Sequence, residues 1–459
     1  MTQSASPLTL PATIAAALIP IKLSLTYIAL IPSLLVFAYQ ERGAVQEIWH
    51  RYRSVLIPIA FFLFCILYSS FFGLNTGRSL SKGMSLAGMF LIIPLYAYLC
   101  EQNLTRTILL ALVIGFSLES LHSIFEGAFP TLLFPYPHGA VSEAGQLGMA
   151  LFVALALCTS PISQQRSTHP LAKTLLIGGG TFFLLTFLGL SHLLELPFPV
   201  IASLTGVVLV ILSWHLFHLF RSRHTPQLET RTYRLLSECI VPLICAALIV
   251  NMKRGPWIGV TVGLTVLLLT MRPRLLFGIL PLIIAIFLLD PIRTRVTASL
   301  EHFLMVGGRG EIWQLGGELL ARYPLGIGLQ NSRLIEQFSY DIPSNMNHFH
   351  SNLINIVVEL GWLGLFSYLW WIGSVLFLAF SWYKTSHLND TRSEIPFVLG
   401  CGILSWQVAG LFEYNFGDSE VFIIALILSG IVVGNTLGVT QTSRLKTHEQ
   451  ERVCSEFRQ

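Results

Sequence analysis

Apolar residues run through this chain in long, nearly unbroken stretches separated by short polar junctions. The stretches cover roughly residues 13–38, 54–74, 84–100, 106–124, 145–160, 171–192, 197–221, 236–252, 255–270, 274–290, 353–382, 395–413 and 420–437. Most approach the twenty or so residues that a helix needs to cross a bilayer core. They are continuous rather than alternating, so they predict helices and not the strands of a barrel. Pro20 and Lys22 interrupt the first run, which reads as one tilted helix or a short hairpin. That run is too long for a cleaved leader and is expected in the mature protein. The pattern predicts an all-α, polytopic membrane bundle of about 12–14 transmembrane helices.

The pattern breaks once, from Pro291 to Asn352. This long polar loop opens with Arg293 and Arg295. It then runs GGRGEIW from Gly307 to Trp313, ARYPLGIGL from Ala321 to Leu329, and NHFHSNL from Asn347 to Leu353. Between Glu311 and Tyr323 the spacing turns helical, with Trp313, Leu315, Leu319, Leu320 and Tyr323 interleaved by Glu311, Gln314, Glu318 and Arg322. That pattern is an amphipathic helix suited to lie on a membrane surface, with Arg309 standing just before it. GIGL, at Gly326 to Leu329, lacks the lysine and hydroxyl residue of a phosphate loop and reads as a helix-ending turn. The organisation expected is membrane helices over 1–290, a chemistry-bearing loop over 291–352, further membrane helices over 353–437 and a polar tail over 438–459.

Composition agrees with this layout. Of 459 residues, 53% are hydrophobic and 11% charged. A soluble domain carries about 25% charged residues, so a water-soluble globule is excluded. No basic tract is interleaved with aromatics, and nucleic acid is not an expected partner. The seven cysteines lie in or beside apolar runs or in the tail, form no CxxC pair, and read as small buried hydrophobes.

The placement of charge sets the orientation. Arg42, Arg51, Arg53, Arg106, Arg166, Lys173, Arg221, Arg223, Arg231, Arg234, Arg272, Arg274, Lys384 and Arg392 fall in one alternating set of junctions, with more base in the tail. Basic junctions stay in the cytoplasm. The other set, Glu126 to Gly145, His192 to Pro197 and Glu413 to Glu420, is poorer in base and faces outward together with the long loop. Arg78 and Lys82 are exceptions on that outer side. Two outer segments could cover a site there: FPTLLFPYPHG, within 125–145, and the acidic EYNFGDSE.

Few residues in so apolar a chain can carry chemistry. Lys253 and Arg254, in NMKRGPW, are bases at an outer membrane edge, where cations commonly bind anions. Gly255 and Pro256 follow and open the next helix, whose positive end would add to an anion site. Snorkelling to lipid phosphate is the alternative. Arg309 is flanked by Gly308 and Gly310, which allow close backbone approach; a contact with Glu311 would be the structural alternative. His348 and His350 could serve as a general base or hydrogen-bond donor. Their i, i+2 spacing shares no helix face and no third ligand stands near, so a metal site is not expected. Aspartate occurs only at 290, 341, 390 and 418, never as Asp-x-Asp. Arginines rather than a divalent cation are therefore the expected partners of any diphosphate. Glu359 lies just inside the next apolar span. It is either functional or a buried acid paired to the loop.

Taken together, GGRGEIW, ARYPLGIGL and HFHSNLINIVVELGWLGLF resemble the O-antigen ligase and polymerase superfamily of bacterial polytopic glycosyltransferases. Gly308 to Trp313, Pro324 to Gly328, His350, and Glu359 to Gly364 match its Gly-Arg-Gly-x-x-Trp, Pro-x-Gly-x-Gly, histidine and Glu-x-Gly-x-x-Gly elements. Lys253 to Trp257 resembles its Ser-Arg-Gly helix junction, with lysine in place of serine. Ser351 stands where asparagine often follows the histidine, and Asn352 comes one later.

The resemblance implies a GT-C-like fold with one large periplasmic loop in a bacterial inner membrane. It implies transfer of a glycan from undecaprenyl diphosphate to a sugar hydroxyl of lipid A–core, with inversion and without metal or cofactor. The alternatives are a repeat-unit polymerase, whose acceptor is another glycan, and a protein O-oligosaccharyltransferase. Outside the class, a lipid or glycan transporter would show internal repeats and broken helices at the midplane. The catalytic residues implied are His350, Arg309 and Arg254. Lys253, Arg78, His348, Trp313 and Glu359 are candidate substrate contacts around them.

Overall fold

The structure of the protein is a computed structural model. It describes residues 8–42, 45–130, 140–158, 171–220, 235–275, 308–337, 347–385 and 394–438, with a few positions between 288 and 303. Most of the expected span at 274–290 and of the FPTLLFPYPHG segment, the arginines from 221 to 234, Arg166, Arg295, Arg392, Gly307 and the tail lie outside the described residues.

The first apolar run is a hairpin. α1 (Thr9–Leu18) turns at Pro20 into α2 (Leu23–Gln40), which starts after an extended Lys22. α1 presents buried Ala12, Ala15 and Ala16, and packs on α2 and α6 (Thr105–Ala128). At ten residues, α1 is too short to cross a bilayer by itself. α3 (Val45–Phe72) follows. α4 (Thr76–Phe90) runs almost directly into α5 (Ile92–Glu101), and together they form one apolar span.

Arg78 and Lys82 were expected in the junction before this span, and the structure corrects that. Both lie in the first turns of α4, because Asn75 caps it: Asn75 Oδ1 accepts the Arg78 backbone N–H at 3.0 Å. Threonine, glycine and serine lowered the apolar signal there, but a capped turn needs no apolar side chains to be helical.

The remaining helices are α7 (Ala140–Cys158), α8 (Leu171–Gly189), α9 (Phe198–Phe220), α10 (Val241–Val250, entered through a π-turn at Leu236–Ile240), α11 (Arg254–Met271), α12 (Arg309–Arg322), α13 (Asn352–Thr385), α14 (Glu394–Ala409) and α15 (Ser419–Val433). Among the described residues there is no strand. Seven described helices are long and apolar enough to cross a membrane, and six apolar helices of 10–17 residues pack among them. The protein is an all-α polytopic bundle.

The bundle is closed by small residues. An added Cβ on Gly259 or Gly263 of α11 would come within 2.2 Å of the Ser405 carbonyl or 2.8 Å of the Cys401 carbonyl on α14. Close backbone approach through small residues drives association where lipid removes the hydrophobic incentive. A second anchor is aromatic. Phe62, Phe90, Tyr368, Trp371, Phe416 and Phe422 stack with centroids 4.9–6.3 Å apart, tying α3, α4, α13 and α15 together. Each such pair contributes about 0.5–1.5 kcal/mol beyond its burial. Phe416 belongs to the α14–α15 loop, so this cluster also roots that loop.

Charge separates between the two ends. At one end Arg51 bonds Glu47 and Glu101, and Tyr52 donates to Glu101 at 2.6 Å. The other end gathers the α3–α4 turn, the start of α11, residues 308–332, the histidine segment and the α14–α15 loop.

Candidate functional site

The PLGIGL turn and the Glu-x-Gly helix are two halves of one device. Gly361 adopts φ +73° and breaks the regular turn inside α13. A broken turn frees carbonyls that normally bond within the helix. The PLGIGL backbone fills them: Ile327 N–H donates to the Val358 carbonyl and Gly328 N–H to the Glu359 carbonyl, both at 2.9 Å. The backbones approach so closely that a Cβ at Gly326 would lie 2.4 Å from the Glu359 carbonyl oxygen, and one at Gly361 2.7 Å from that of Pro324. Gly326 and Gly328 both have φ +93°, a region L side chains avoid. Leu74 N–H, in the α3–α4 turn, donates to the Ile327 carbonyl at 2.8 Å and adds a third layer.

Gly361→Ala is expected to destabilise the fold by about 1–3 kcal/mol from its backbone strain alone. The check is a drop in the thermal-unfolding midpoint; an unchanged midpoint would show that the kink is dispensable.

Glu359 fastens the next part of the loop. It is buried, and accepts the Ser332 hydroxyl at 2.5 Å and the Ser332 N–H at 3.2 Å. Of its two readings, the structure displays the acid paired to the loop.

α12 begins at Arg309 itself, two residues earlier than the spacing indicated. Its apolar stripe also faces differently. Ile312 and Leu319 pack with Ile327, Phe349, Val357 and Val358, against α13. The stripe was expected on the membrane surface, but the broken α13 and the folded loop offer it a protein surface first.

Trp313 then organises the histidines. Its indole N–H donates to the Phe349 carbonyl at 2.9 Å, and the Phe349 N–H donates to Asn355 Oδ1 at 3.2 Å. His350 is held at φ +52°, and its N–H donates to His348 Nδ1 at 3.2 Å. The two rings meet edge-on with centroids 4.3 Å apart. Strain of this kind persists only where surroundings impose it, and it clusters at functional sites.

The two histidines are not equivalent. Burial and the charges of Arg309 and Arg333 push His348 down to about 4. His348 is therefore a neutral ring whose Nδ1 is engaged in shaping the backbone.

Asn352 closes the site from the other side. Its N–H donates to the Gly410 carbonyl at 2.6 Å and its Nδ2 to Asn415 Oδ1 at 2.7 Å. Its Oδ1 accepts the Phe416 N–H at 2.9 Å. This clamp fixes the EYNFGDSE loop over the histidines, and Tyr414 lies 5.4 Å from the His348 ring.

From the same loop Glu413 reaches the first turn of α11, where its carboxyl carbon would lie 2.9 Å from a Cβ on Gly255. Arg309 is drawn to it: burial lowers the guanidinium, and Glu413 opposes that shift. Glu413 itself is pushed up to about 7 by burial, against the pull of Arg309 and Lys253. Asp418 is raised by burial to about 6.

Lys253, the start of α11, Arg309, His348 and His350 are thus gathered at one end of the bundle. Arg254 is the half-buried first residue of α11. Arg78 is exposed on α4, beside the turn that underlies PLGIGL. Past Tyr414 a small groove opens, lined by Lys82, Ser85, Gln330, Ser419 and Phe422. Sequence reasoning did not single out Arg333, Glu413 or Tyr414. The one signal for the last two was the acidic loop over the outer face.

The fold and this end of the bundle define a polytopic membrane protein with a cluster of ionisable residues at one end of its helices. The family model described as O-antigen ligase matches residues 239–369. That segment runs from the helix before Lys253 to the kinked α13, so the resemblance read from the motifs holds over the segment that carries Lys253, Arg254, Arg309, His348 and His350. A comparison with curated proteins finds no match.

Proposed function

We propose that this protein is an O-antigen ligase-like glycosyltransferase that moves a glycan from undecaprenyl diphosphate to a sugar hydroxyl of lipid A–core at the periplasmic face of a bacterial inner membrane. The observation that carries this reading is the convergence of Lys253 and the α11 N-terminus with Arg309 around one buried carboxylate, beside two histidines. A helix N-terminus with adjacent cations is suited to phosphate. Arginine adds a planar fork that donates two parallel bonds.

In this reading Arg309, Arg254 and Lys253 hold the donor diphosphate and neutralise the charge that grows on it as the glycosidic bond breaks. His350 takes the proton from the acceptor hydroxyl, which attacks the anomeric carbon opposite the leaving group and inverts it. His348 and Trp313 position His350 rather than touch the reacting atoms. The acceptor enters from the groove beyond Tyr414, where Lys82 and Ser419 offer polar contacts. Arg78, exposed nearby, meets the incoming substrate at the membrane edge. No metal takes part.

The test is reconstitution of the purified protein in lipid, without added metal, with an undecaprenyl-diphosphate glycan and lipid A–core. Glycan on lipid A–core is the expected product. A longer glycan still on undecaprenyl diphosphate would make the protein a polymerase instead. Loss of turnover on chelation, restored by magnesium, would overturn the metal-free mechanism.

A further inference from the structure

Glu413 has no part in the transfer just described, yet it occupies the centre of the cation cluster. Its side chain is buried, and its Oε2 has no hydrogen-bond partner. No side chain caps α11 from Lys253, its own N-cap residue. The Glu413 carboxylate fills that place, with Oε1 3.1 Å from a Cβ built on Gly255 and a bond from the Gly255 N–H. Pro256, next along, has no N–H to offer, so few donors remain at this helix end. The charged groups facing Glu413 are Lys253 at the head of α11, Arg309 at the head of α12, and Asp418 in its own loop. A carboxylate on a helix N-terminus between two cations holds the position a phosphate would take.

We propose that Glu413 is a built-in stand-in for the donor diphosphate, and that the diphosphate binds with uptake of one proton by Glu413. The inference rests on the reading of this cluster as a diphosphate site. The loop backbone is held on both sides of Glu413, by Asn352 at Gly410 and by Asn352 and aromatic packing at Asn415 and Phe416, so the loop keeps the carboxylate at the cluster. Two anions in contact at a buried site repel each other strongly. Neutralising Glu413 removes that cost. A proton from water adds to the carboxylate, with Oε2 as the open acceptor, and no other bond forms or breaks. Burial already holds this group at about 7, so the protonated form is within reach at neutral pH. The neutral acid no longer competes with the incoming anion for the charges of Lys253 and Arg309.

The experiment is calorimetric binding of a farnesyl-diphosphate-linked sugar to the full-length protein in nanodiscs. Both phosphates of this probe are esterified on each side, so its charge stays constant over the pH range used. If only the protonated form binds, apparent affinity falls by the protonated fraction, up to roughly 30-fold between about pH 6 and about pH 8.5. Wild type should bind more tightly at the lower pH and take up about half a proton near pH 7, rising to close to one near pH 8.5, seen as a dependence of heat on buffer ionisation enthalpy. Glu413→Gln should bind with less than about twofold pH dependence and without proton uptake. Equal wild-type affinity at both pH values, absent proton uptake, absent probe binding, or wild-type pH dependence kept in Glu413→Gln would each overturn the proposal. Proton-coupled binding without any glycan transfer would leave it standing and would refute the transferase reading alone.

Discussion

Arg309→Ala is expected to lower glycan transfer by about 100- to 1,000-fold, the usual consequence of losing one preorganised donor to developing charge. Arg309 sits at the first position of α12, while the packing of that helix on α13 runs through Ile312, Gly316 and Leu319. Removing its side chain should therefore leave the fold in place, and the thermal-unfolding midpoint provides that control. Arg309→Lys keeps the charge but loses the planar fork, and should recover only part of the rate. The loss should fall on kcat as well as on donor KM, because leaving-group charge is greatest in the transition state. A secondary effect has a definite sign. Arg309 holds the Glu413 carboxyl down, so its removal should raise that group further and shift any Glu413-linked pH dependence to higher pH. The measurement is kcat and KM in reconstituted protein across pH. Activity within a few-fold of wild type would remove Arg309 from the mechanism.

Substitution of His350 is expected to cost about 100- to 10,000-fold in turnover with little change in donor affinity, the range for a lost general base. The choice of replacement matters, because His350 lies at φ +52° and alanine resists that region. Asparagine tolerates it better. His350→Asn therefore separates loss of proton chemistry from loss of shape. His348→Ala should act differently. It removes the acceptor of the His350 N–H at 3.2 Å, so it should loosen the segment and lower the midpoint as well as the rate. Because His348 is held near 4, it stays neutral through the physiological range, and no activity change between about pH 6 and 8 should be assigned to it. Full activity in His350→Asn would show that another group accepts the proton.

What was legible in advance follows from how local each signal is. Spans such as Thr105–Ala128 and Asn352–Thr385 could be read because twenty adjacent apolar residues have only one low-energy state in lipid. The α4 start was misplaced because a side-chain cap outweighed polar composition. The direction of the α12 stripe was misjudged because amphipathicity says that a face is buried, not against what. The glycines at 326, 328 and 361 were visible as letters, but their purpose needs both backbones in view. Glu413 lies 160 residues beyond Lys253 in numbering, and no spacing rule connects them.

The sequence by itself determined the medium, the helical class, the separation of basic from base-poor junctions, and the handful of ionisable residues available for chemistry. All of these follow from transfer free energies and periodicity along a single stretch of chain. Only the tertiary structure decided that the PLGIGL turn repairs the break at Gly361, that Asn352 clamps the acidic loop over the histidines, and that Glu413 sits among Lys253, Gly255 and Arg309. Those outcomes depend on backbone groups seeking partners far away in sequence, and buried polar groups are satisfied by whichever partner packing brings within reach.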